Sequence, residues 1–395
     1  MRSEIVGLLT RDDVEIYHVV REFQSAFNRV LERALEEHAR RRAQLPPLAR
    51  RALAGSDPFS LQEFTLRGGK RLRPLIFCCG YLCLDGPETD EILKASVAIE
   101  LLQTGLLIHD DIIDRSRERR QGQTMHLLWE EYFRQERYRS RFAGAREHFG
   151  IAMALLMGDI SSALAYEMLL SADFPLEQKL RAVETFSDVI VRVAVGELLD
   201  VDLSLRSLEN LQEEEILKVY ELKTAGYTTE GPLQIGAALG GANEAQLRLL
   251  SRYAIPLGIA FQIQDDILGM FGGREEIGKD EGSDLIEAKR TPLLLWAWRQ
   301  SHLGERARLD SLLQNAEEAY RELDFVRELF VRTGALRRAQ ELIAEHFSRV
   351  RASLAEIESE FGTRAARLLQ KIASYIETRE DYKGALERYV ARVNG

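Results

Sequence analysis

The feature that most constrains this chain is a largely apolar stretch, residues 101–114, that ends in three aspartates. Residues four apart lie on one face of an α-helix, so Asp110 and Asp114 are expected to point into one space, with Asp111 beside them. Neighbouring carboxylates repel one another, and hard divalent cations relieve that repulsion by binding carboxylate and phosphate oxygens. A solvated helix end is the alternative interpretation. The apolar run before the aspartates favours the mouth of an apolar pocket.

Composition limits the fold and the classes of function. The chain has 395 residues with 45% hydrophobic side chains, enough for one large helical domain or two ordinary ones. Nine prolines and few alternating β-branched runs favour a mostly helical protein. The net charge of −10 argues against general nucleic-acid binding. No apolar run reaches about 18 residues and the first residues lack a signal-peptide core, so no transmembrane segment is expected.

The three cysteines, Cys78, Cys79 and Cys83, lie close together at spacings that suit one buried helix. They are too few for a disulfide framework and lack a second pair for zinc. We therefore interpret them as reduced core residues of a cytosolic protein.

Apolar periodicity predicts long helices along most of the chain. The first covers residues 14–43, and residues 44–58, with three prolines and a glycine, form a connecting loop. Residues 129–148 are rich in arginine, glutamate and aromatic side chains and are interpreted as a surface excursion. We expect residues 1–395 to form a single all-helical domain, with residues 1–58 as its N-terminal helix and loop. Further helices are predicted over residues 75–84, 91–114, 149–170, 178–203, 211–240 and 246–268, and from residue 284 to the end.

Three cationic motifs accompany the aspartates. Residues 67–74 contain two glycines, which allow close approach of a ligand, and four cationic side chains, which suit a diphosphate. A basic loop that balances an acidic protein is the alternative. The pair Arg119 and Arg120 follows the aspartates and is placed to hold phosphates bound by the metals. Lys223 and Thr224 make a plausible phosphate contact inside a predicted helix, although an exposed lysine is the commoner explanation.

A second apolar helix, residues 246–268, ends in the paired carboxylates Asp265 and Asp266. Two aspartate-tipped helices suggest two walls of one cavity. Such a cavity suits a diphosphate with a hydrocarbon tail. Divalent ions would neutralise the diphosphate as the allylic C–O bond ionises, and an apolar floor would shield the resulting cation from water.

In this order the motifs resemble the trans-isoprenyl diphosphate synthases, the polyprenyl synthetase family that includes farnesyl, geranylgeranyl and longer-chain synthases. The Gly-Gly-Lys loop, the Asp-Asp-x-x-Asp motif, the Arg-Arg and Lys-Thr pairs and the Phe-Gln-x-x-Asp-Asp motif lie between residues 68 and 290. The resemblance implies an all-α isoprenoid synthase-type bundle of long helices around a central apolar cavity. It further implies a homodimer with about three magnesium ions per active site. A cytoplasmic location is expected from the reduced cysteines. The activity implied is head-to-tail (1′-4) condensation of isopentenyl diphosphate with an allylic diphosphate, most like that of a geranylgeranyl diphosphate synthase.

The resemblance also implies roles for matching residues. The diphosphate of isopentenyl diphosphate would be held by Lys70, Arg71, Arg73, Gln103 and Arg120. The allylic diphosphate would be held by Arg119, Lys223 and Lys279, with Thr224 and Gln262 at the reacting ends and Lys289 at the rim. Magnesium would be bound by Asp110, Asp111, Asp114, Asp265, Asp266 and Asp284. The central catalytic residues would be Asp110, Asp114, Lys223 and Asp265. The departing diphosphate would take the proton, so no protein base is named.

The chain departs from the family pattern in a few places. Gly269 stands where many members carry the third aspartate of the second acidic motif, which bears on metal affinity. Gln103 replaces a histidine common in bacterial members, and both side chains donate hydrogen bonds to phosphate. Gly122 falls one place later than usual after the arginine pair, and the segment between Lys279 and Asp284 is one residue longer than in some relatives.

The helix below Asp110 is expected to set the product length. Farnesyl-forming relatives often carry a bulky aromatic four or five positions before the first aspartate, where this chain has Leu106 and Gly105. The tail then has room for at least one more isoprene unit, and the next turns, with Leu102, Leu101 and Ile99, are expected to close a floor about 10 Å below the metals. Geranylgeranyl diphosphate is the predicted product.

Other functions remain open on the sequence. The product could be longer or could be farnesyl diphosphate. A non-catalytic isoprenoid-binding subunit of a heteromeric synthase is supported only by Gly269. A terpene cyclase shares the aspartate motif and helical fold but does not need the second diphosphate site that residues 68–73 suggest.

Overall fold

Helices account for most of the chain that the computed structural model describes, namely residues 4–11, 14–136, 138, 144–273 and 282–394. The predicted all-α fold is confirmed. The chain divides into two compact units, Met1–Val183 with Gly236–Gly241, and Glu184–Ile235 with Ala242–Gly395. That residues 1–395 act as a single domain stays a prediction.

The first unit contains eight labelled helices, a two-stranded hairpin and the start of a ninth helix. In chain order these are α1 (Glu4–Leu9), α2 (Ile16–Arg41), α3 (Pro47–Leu53), α4 (Leu61–Leu66), α5 (Leu72–Leu82), α6 (Asp90–Ile113), β1 (Glu118–Arg119), β2 (Gly122–Gln123), α7 (Met125–Gln135), α8 (Ala145–Ser171) and α9 (Leu176–Leu205).

The remaining elements follow in the second unit, apart from the end of α11. They are a 3-10 turn (Leu208–Asn210), α10 (Glu213–Val219), a π-helix (Tyr220–Glu230), α11 (Gly231–Leu239), α12 (Glu244–Phe271), α13 (Ser283–Ile286), α14 (Pro292–Gln300), α15 (Leu303–Leu312), α16 (Ala316–Arg321), α17 (Leu323–Arg332), α18 (Ala335–Phe361), α19 (Thr363–Glu377) and α20 (Glu380–Asn394).

Helix α6 is the central helix of the first unit. Thr89 is its N-cap residue, and the Thr89 side chain accepts a hydrogen bond from the Glu91 N–H. Acidic residues occupy the first turn, where they complement the helix dipole. Its middle is buried all round, as expected of a helix that is apolar on every face. The helix packs on α2, α5 and α8 and carries the three aspartates at its C-terminal end.

Helix α12 has the same position in the second unit. Asn243 and Gln246 form a capping box at its start, and it packs against the π-helix, α18, α19 and α20. Gly258 lies at the contact with the π-helix, because a Cβ there would be 2.5 Å from the Ala225 Cα. This glycine lets the two helices approach closely, and α12 carries the second aspartate pair near its end.

Three local expectations are wrong or incomplete. Residues 44–58 are not one loop, because Pro47 begins α3, and a proline is well tolerated in the first turn of a helix. Residues 211–240 form three helical segments with a π-helix in the middle. The predicted excursion at 129–148 begins in the core, since Trp129 is 0% exposed and its ring lies 4.5 Å from that of Phe59. Residues 137 and 139–143 of that segment lie outside the described residues.

The prediction that the three cysteines are free core residues is confirmed. Cys78, Cys79 and Cys83 are buried and free, on or just after α5. Burial raises the pKa of the Cys78 thiol to about 12, so this thiol stays protonated at neutral pH.

Two helices of the described chain, Asp90–Ile113 and Ala145–Ser171, are long and apolar enough to qualify as membrane spans by length and composition alone. The molecule itself buries 78% of the apolar window of the first and 39% of that of the second. No transmembrane segment was expected because no uninterrupted apolar run reaches about 18 residues. The present criterion is looser, since an 18-residue window is allowed up to two charged residues. Core helices commonly meet the same criteria, so the signal is weak.

Candidate active site

The end of α6 brings two aspartates together as predicted. One carboxylate oxygen of Asp110 and one of Asp114 lie within 4.8 Å of each other. The Asp114 N–H donates to the Asp110 carbonyl at 2.8 Å, so the last turn stays helical and keeps both side chains on one face. Two half-buried carboxylates at this distance are hard oxygen donors that fit a divalent cation.

Asp111 serves a different purpose from its neighbours. Its side chain is 0% exposed, and the Arg119 Nε donates to its Oδ1 at 2.8 Å. Arg119 also donates from Nη2 to Asp110 Oδ2 at 3.1 Å. Asp111 therefore fixes the arginine beside the helix face that carries Asp110 and Asp114.

A tight hairpin positions Arg119 on β1. Its turn residues, Arg120 and Gln121, have φ values of 52° and 62°, as a two-residue turn between twisted strands requires. This turn explains the late glycine of the sequence pattern. Gly122 lies on β2, where a Cβ would be 2.9 Å from Arg67 Nη1, so the glycine makes room for an arginine.

Arg71 is buried within the first unit. Its side chain is 0% exposed and is held by Asn28 Oδ1 at 2.9 Å, by the Thr65 carbonyl at 3.0 Å and by Glu100. All of these partners belong to the protein. The guanidinium of Arg71 is thereby committed to holding the basic loop, which the resemblance could not reveal.

Arg120 lies at the centre of an excess of positive charge. Gly69 permits this, since a Cβ at that position would be 3.0 Å from Arg120 Nη2. Burial lowers the pKa of Arg120 to about 10, and Glu100 opposes that effect. Three neighbouring guanidinium groups lower the pKa further, those of Arg71, Arg73 and Arg119. An anion such as a diphosphate would relieve this repulsion.

Gln103 is 6% exposed, and its Oε1 has no hydrogen-bond partner among the described residues. A buried polar atom without a partner costs about 1–3 kcal/mol, so most buried polar atoms in proteins have one. Rotation of the amide presents an N–H at the same point, which is what a phosphate oxygen needs. Lys70, in the loop before α5, is exposed, and Arg73, in the first turn of α5, is half-buried.

In the second unit, Lys223 lies between two carboxylates that sequence reasoning missed. Its Nζ is 2.8 Å from Glu197 Oε2 and 2.7 Å from Asp200 Oδ2, both on α9. The signal was present in the sequence Gly-Glu-Leu-Leu-Asp at 196–200, whose acidic residues are three apart on one helix face. Gly196 completes the arrangement, because a Cβ there would be 2.6 Å from the Lys223 nitrogen of the main chain.

A chain of hydrogen bonds connects the π-helix to the second aspartate pair. Thr224 Oγ1 donates to Gln262 Oε1 at 2.8 Å, and Gln262 Nε2 donates to Asp266 Oδ1 at 2.8 Å. Tyr220 donates its hydroxyl proton to Asp266 Oδ2 at 2.5 Å. Thr224 and Gln262, both predicted to line the reacting ends, are thus in contact.

The two aspartates of this pair differ in environment. Asp266 is 3% exposed, and burial raises its pKa well above the usual range, with a further increase from the nearby Asp284 carboxylate. The side chain of Asp265 is 38% exposed and accepts from Arg379 Nη1 at 2.7 Å. Asp265 is therefore the more accessible ligand for a cation.

The structure accounts for the glycine at 269. A Cβ at Gly269 would be 2.3 Å from Asp284 Oδ2, so the carboxylate of Asp284 covers the place where a third aspartate side chain would begin. Lys289 Nζ lies 3.6 Å from Asp284 Oδ1. Lys279 lies outside the described residues.

The three residues predicted to limit product length do not share one environment. Leu102 is 1% exposed and Leu106 is half-buried. Gly105, by contrast, faces α8, because a Cβ there would be 2.9 Å from the Gly158 carbonyl oxygen. The space expected at Gly105 is therefore filled by α8.

Comparisons with known proteins agree with the motif order. The Polyprenyl synthetase family model matches residues 60–330. The chain is 35% identical over 230 residues to the geranylgeranyl diphosphate synthase of Sulfolobus acidocaldarius, covering 58% of this chain and 62% of that protein. It is 32% identical over 286 residues to the geranylfarnesyl diphosphate synthase of Natronomonas pharaonis, covering 66% and 76%.

A solved structure shares the fold. The crystal structure of geranylgeranyl pyrophosphate synthase from Corynebacterium glutamicum, complexed with isoprenyl diphosphate and magnesium, matches with a TM-score of 0.74 at 28% identity. The match covers 88% of this chain and 99% of that one. Since the family model spans most of the chain and includes the aspartate, arginine and lysine motifs described above, the chain belongs to the polyprenyl synthetase family of prenyltransferases.

Proposed function

We propose that this protein condenses isopentenyl diphosphate head to tail with an allylic diphosphate and that its main product is geranylgeranyl diphosphate. The reaction is that of its family. The observation that carries the proposal is the close pair of Asp110 and Asp114 carboxylates at the end of an apolar helix, beside the arginine cluster around Arg120.

The first unit supplies groups for the diphosphate of isopentenyl diphosphate. Arg120 lies among three other guanidinium groups, and Gln103 can rotate its amide to present an N–H, so both gain from a bound anion. Lys70 and Arg73 complete this set. Arg71 is anchored by its ion pair with Glu100 and so holds the basic loop in place. We propose that it attracts the diphosphate by its charge and does not contact it.

The residues that would hold magnesium are Asp110 and Asp114 in the first unit, and Asp265, with Asp284 near it, in the second. When bound, about three magnesium ions would stabilise the diphosphate leaving group. Arg119 and Lys223 are each held in place by carboxylates and would grip the allylic diphosphate, together with Lys279. Lys289 Nζ, 2.8 Å from Glu287, is proposed for the rim.

The remaining steps use few protein groups. Thr224 and Gln262, joined by their hydrogen bond, would orient the reacting ends of the two substrates. The departing diphosphate accepts the proton that the condensed cation loses. No side chain is assigned as a general base.

Product length is proposed from Leu106 and Leu102 alone, since Gly105 is occupied with packing on α8. Leucines on this face leave space for a tail longer than farnesyl. The geranylfarnesyl-forming relative makes a longer product the second candidate.

We propose that the protein acts as a cytoplasmic homodimer. The second-unit part of α9 carries large apolar side chains that are exposed in the single chain, at spacings of three, four and seven residues. They are Val191 (60% exposed), Val195 (44%), Leu198 (67%) and Leu205 (84%). A stripe with this helical spacing fits burial against a second copy of the chain.

The test is an assay of product length with purified protein, magnesium, labelled isopentenyl diphosphate and dimethylallyl, geranyl or farnesyl diphosphate as primer. We expect a discrete C20 product and no product when EDTA removes the metal. A ladder of longer products would support the condensation reaction but show that the residues limiting product length lie elsewhere. No condensation with any primer would favour the alternative function, a non-catalytic isoprenoid-binding subunit of a heteromeric synthase.

A further inference from the structure

Helix α19 is fixed to α12 by two buried hydrogen bonds, one at its middle and one at its end, beside the second aspartate pair. Tyr253, on α12, donates its hydroxyl proton to the Leu369 carbonyl at 2.7 Å. Gln264, 0% exposed and adjacent to Asp265, donates to the Ile376 carbonyl at 3.1 Å. The chain that leaves α19 therefore emerges at a set position next to Asp265.

The fixed end of α19 places Arg379 beside Asp265. Its side chain is 7% exposed, and Nη1 donates to Asp265 Oδ1 at 2.7 Å. Nε and Nη2 each donate to Asp381 at 3.2 Å, one to each carboxylate oxygen. The guanidinium lies over the Phe261 ring, 4.5 Å from its centroid. All three guanidinium nitrogens donate hydrogen bonds, and one face of the group covers the Phe261 ring, so the guanidinium has a single orientation.

Asp265 needs such a constraint. Its side chain is 38% exposed, and the bond from Arg379 to Oδ1 is its one hydrogen bond within the described part of the chain. A half-exposed aspartate otherwise samples several rotamers. With Oδ1 held, Oδ2 keeps one direction and stays available.

We infer that Arg379 is a positioning residue for the second aspartate motif: it orients Asp265 so that the free carboxylate oxygen is preset for a divalent cation. This inference rests on the proposed function. Partners that orient metal ligands typically contribute about 10–100-fold to metal affinity or activity. The positive charge of Arg379 acts in the opposite sense, since it repels a cation. Asp381 compensates that charge, which leaves orientation as the dominant effect.

The test measures Mn²⁺ binding to the full chain by EPR, with inorganic diphosphate at a fixed concentration. We expect Arg379→Gln to weaken Mn²⁺ binding about tenfold. Arg379→Lys keeps the charge and loses the fork, and we expect it to weaken binding as well. Binding as tight as wild type in Arg379→Gln, or tighter, would overturn the inference, and so would full recovery in Arg379→Lys.

Arg351→Gln is the matched control. Arg351 Nη1 donates to Glu377 Oε1 at 2.9 Å, so this substitution also removes an arginine–carboxylate pair at the end of α19, but an exposed one that involves neither Asp265 nor Asp266. We expect its Mn²⁺ affinity to equal that of wild type. Circular dichroism melts establish that each variant is folded.

Kinetics separate positioning from a general structural defect. In Arg379→Gln, turnover at limiting magnesium should fall about tenfold and recover at high magnesium, with an unchanged KM for isopentenyl diphosphate. A turnover defect that magnesium does not rescue would contradict positioning. If wild type neither condenses substrates nor binds Mn²⁺, the proposed function fails; if wild type does both and Arg379→Gln matches it, only this inference fails.

Discussion

Gly269 departs from the aspartate that many relatives carry at this position, and packing supplies the reason. The Asp284 carboxylate occupies the space into which a side chain at 269 would project. The position that lacks the carboxylate and the carboxylate of Asp284 are thus neighbours. A departure that suggested a weakened metal site from the sequence alone is coupled to a residue fifteen positions later.

Gly269→Asp is expected to destabilise the protein by about 2 kcal/mol, because its Cβ would overlap Asp284 and bring another carboxylate beside Asp266. Urea unfolding measures the change. The double variant Gly269→Asp with Asp284→Gly should recover most of the loss. Additive effects of the two substitutions would show that the residues are independent.

Leu106→Phe should shorten the main product by one isoprene unit, because an aromatic ring one turn below Asp110 reduces the depth available to the tail. Chromatography of dephosphorylated products measures the length. Gly105→Ala is the control, since its methyl group would meet the Gly158 carbonyl of α8; we expect lower stability with the product length unchanged. An unchanged product in Leu106→Phe would place the floor elsewhere.

Among the elements, long apolar helices were predictable and local changes of helix type were not. The predicted helix over 91–114 corresponds to Asp90–Ile113, and that over 14–43 to Ile16–Arg41, since burial of an apolar face sets both. The π-helix at Tyr220–Glu230 has no compositional signature, as it adds one residue per turn without altering which residue types are present. The partners Glu197 and Arg379 escaped notice for a related reason: their contacts depend on how distant helices pack.

Gly258→Ala is expected to move the π-helix away from α12. Its Cβ would lie 2.5 Å from both the Ala225 Cα and the Thr229 Oγ1, so the helices must separate. We expect a loss of about 1–3 kcal/mol in unfolding free energy and a raised KM for the allylic diphosphate, because Lys223 and Thr224 lie on the displaced segment.

Gly304→Ala provides the control for that substitution. It also lies within a helix, but the nearest atoms to its Cβ would be 3.5 Å away, an ordinary contact. An alanine there should leave the KM unchanged and raise stability by up to about 1 kcal/mol. Equal effects of the two glycine substitutions would contradict a specific role for the α12 contact.

For the whole molecule, the family motifs could be identified in order from the sequence, but which apolar residues are exposed at the surface could not. Periodicity identifies the apolar residues of α9 but does not say which of them a neighbouring helix covers. In the structure, Phe186, Val189 and Val193 are buried, whereas Val191 and Leu198 are exposed. Both sides of this helix are apolar, so one side is available to another chain.

Leu198→Glu is expected to convert a dimer into a monomer. Leu198 is 67% exposed in the single chain, so a glutamate there is accommodated without disturbing the fold, yet it would bury a charge at an interface with a second copy. Light scattering coupled to size-exclusion chromatography gives the mass, with 45.0 kDa expected for the monomer and twice that for wild type. Leu303→Glu, at a position 82% exposed on α15 in another part of the second unit, serves as the control and should leave the mass unchanged. If wild type itself elutes as a monomer, or if Leu198→Glu remains dimeric, the apolar side of α9 is not the contact between copies.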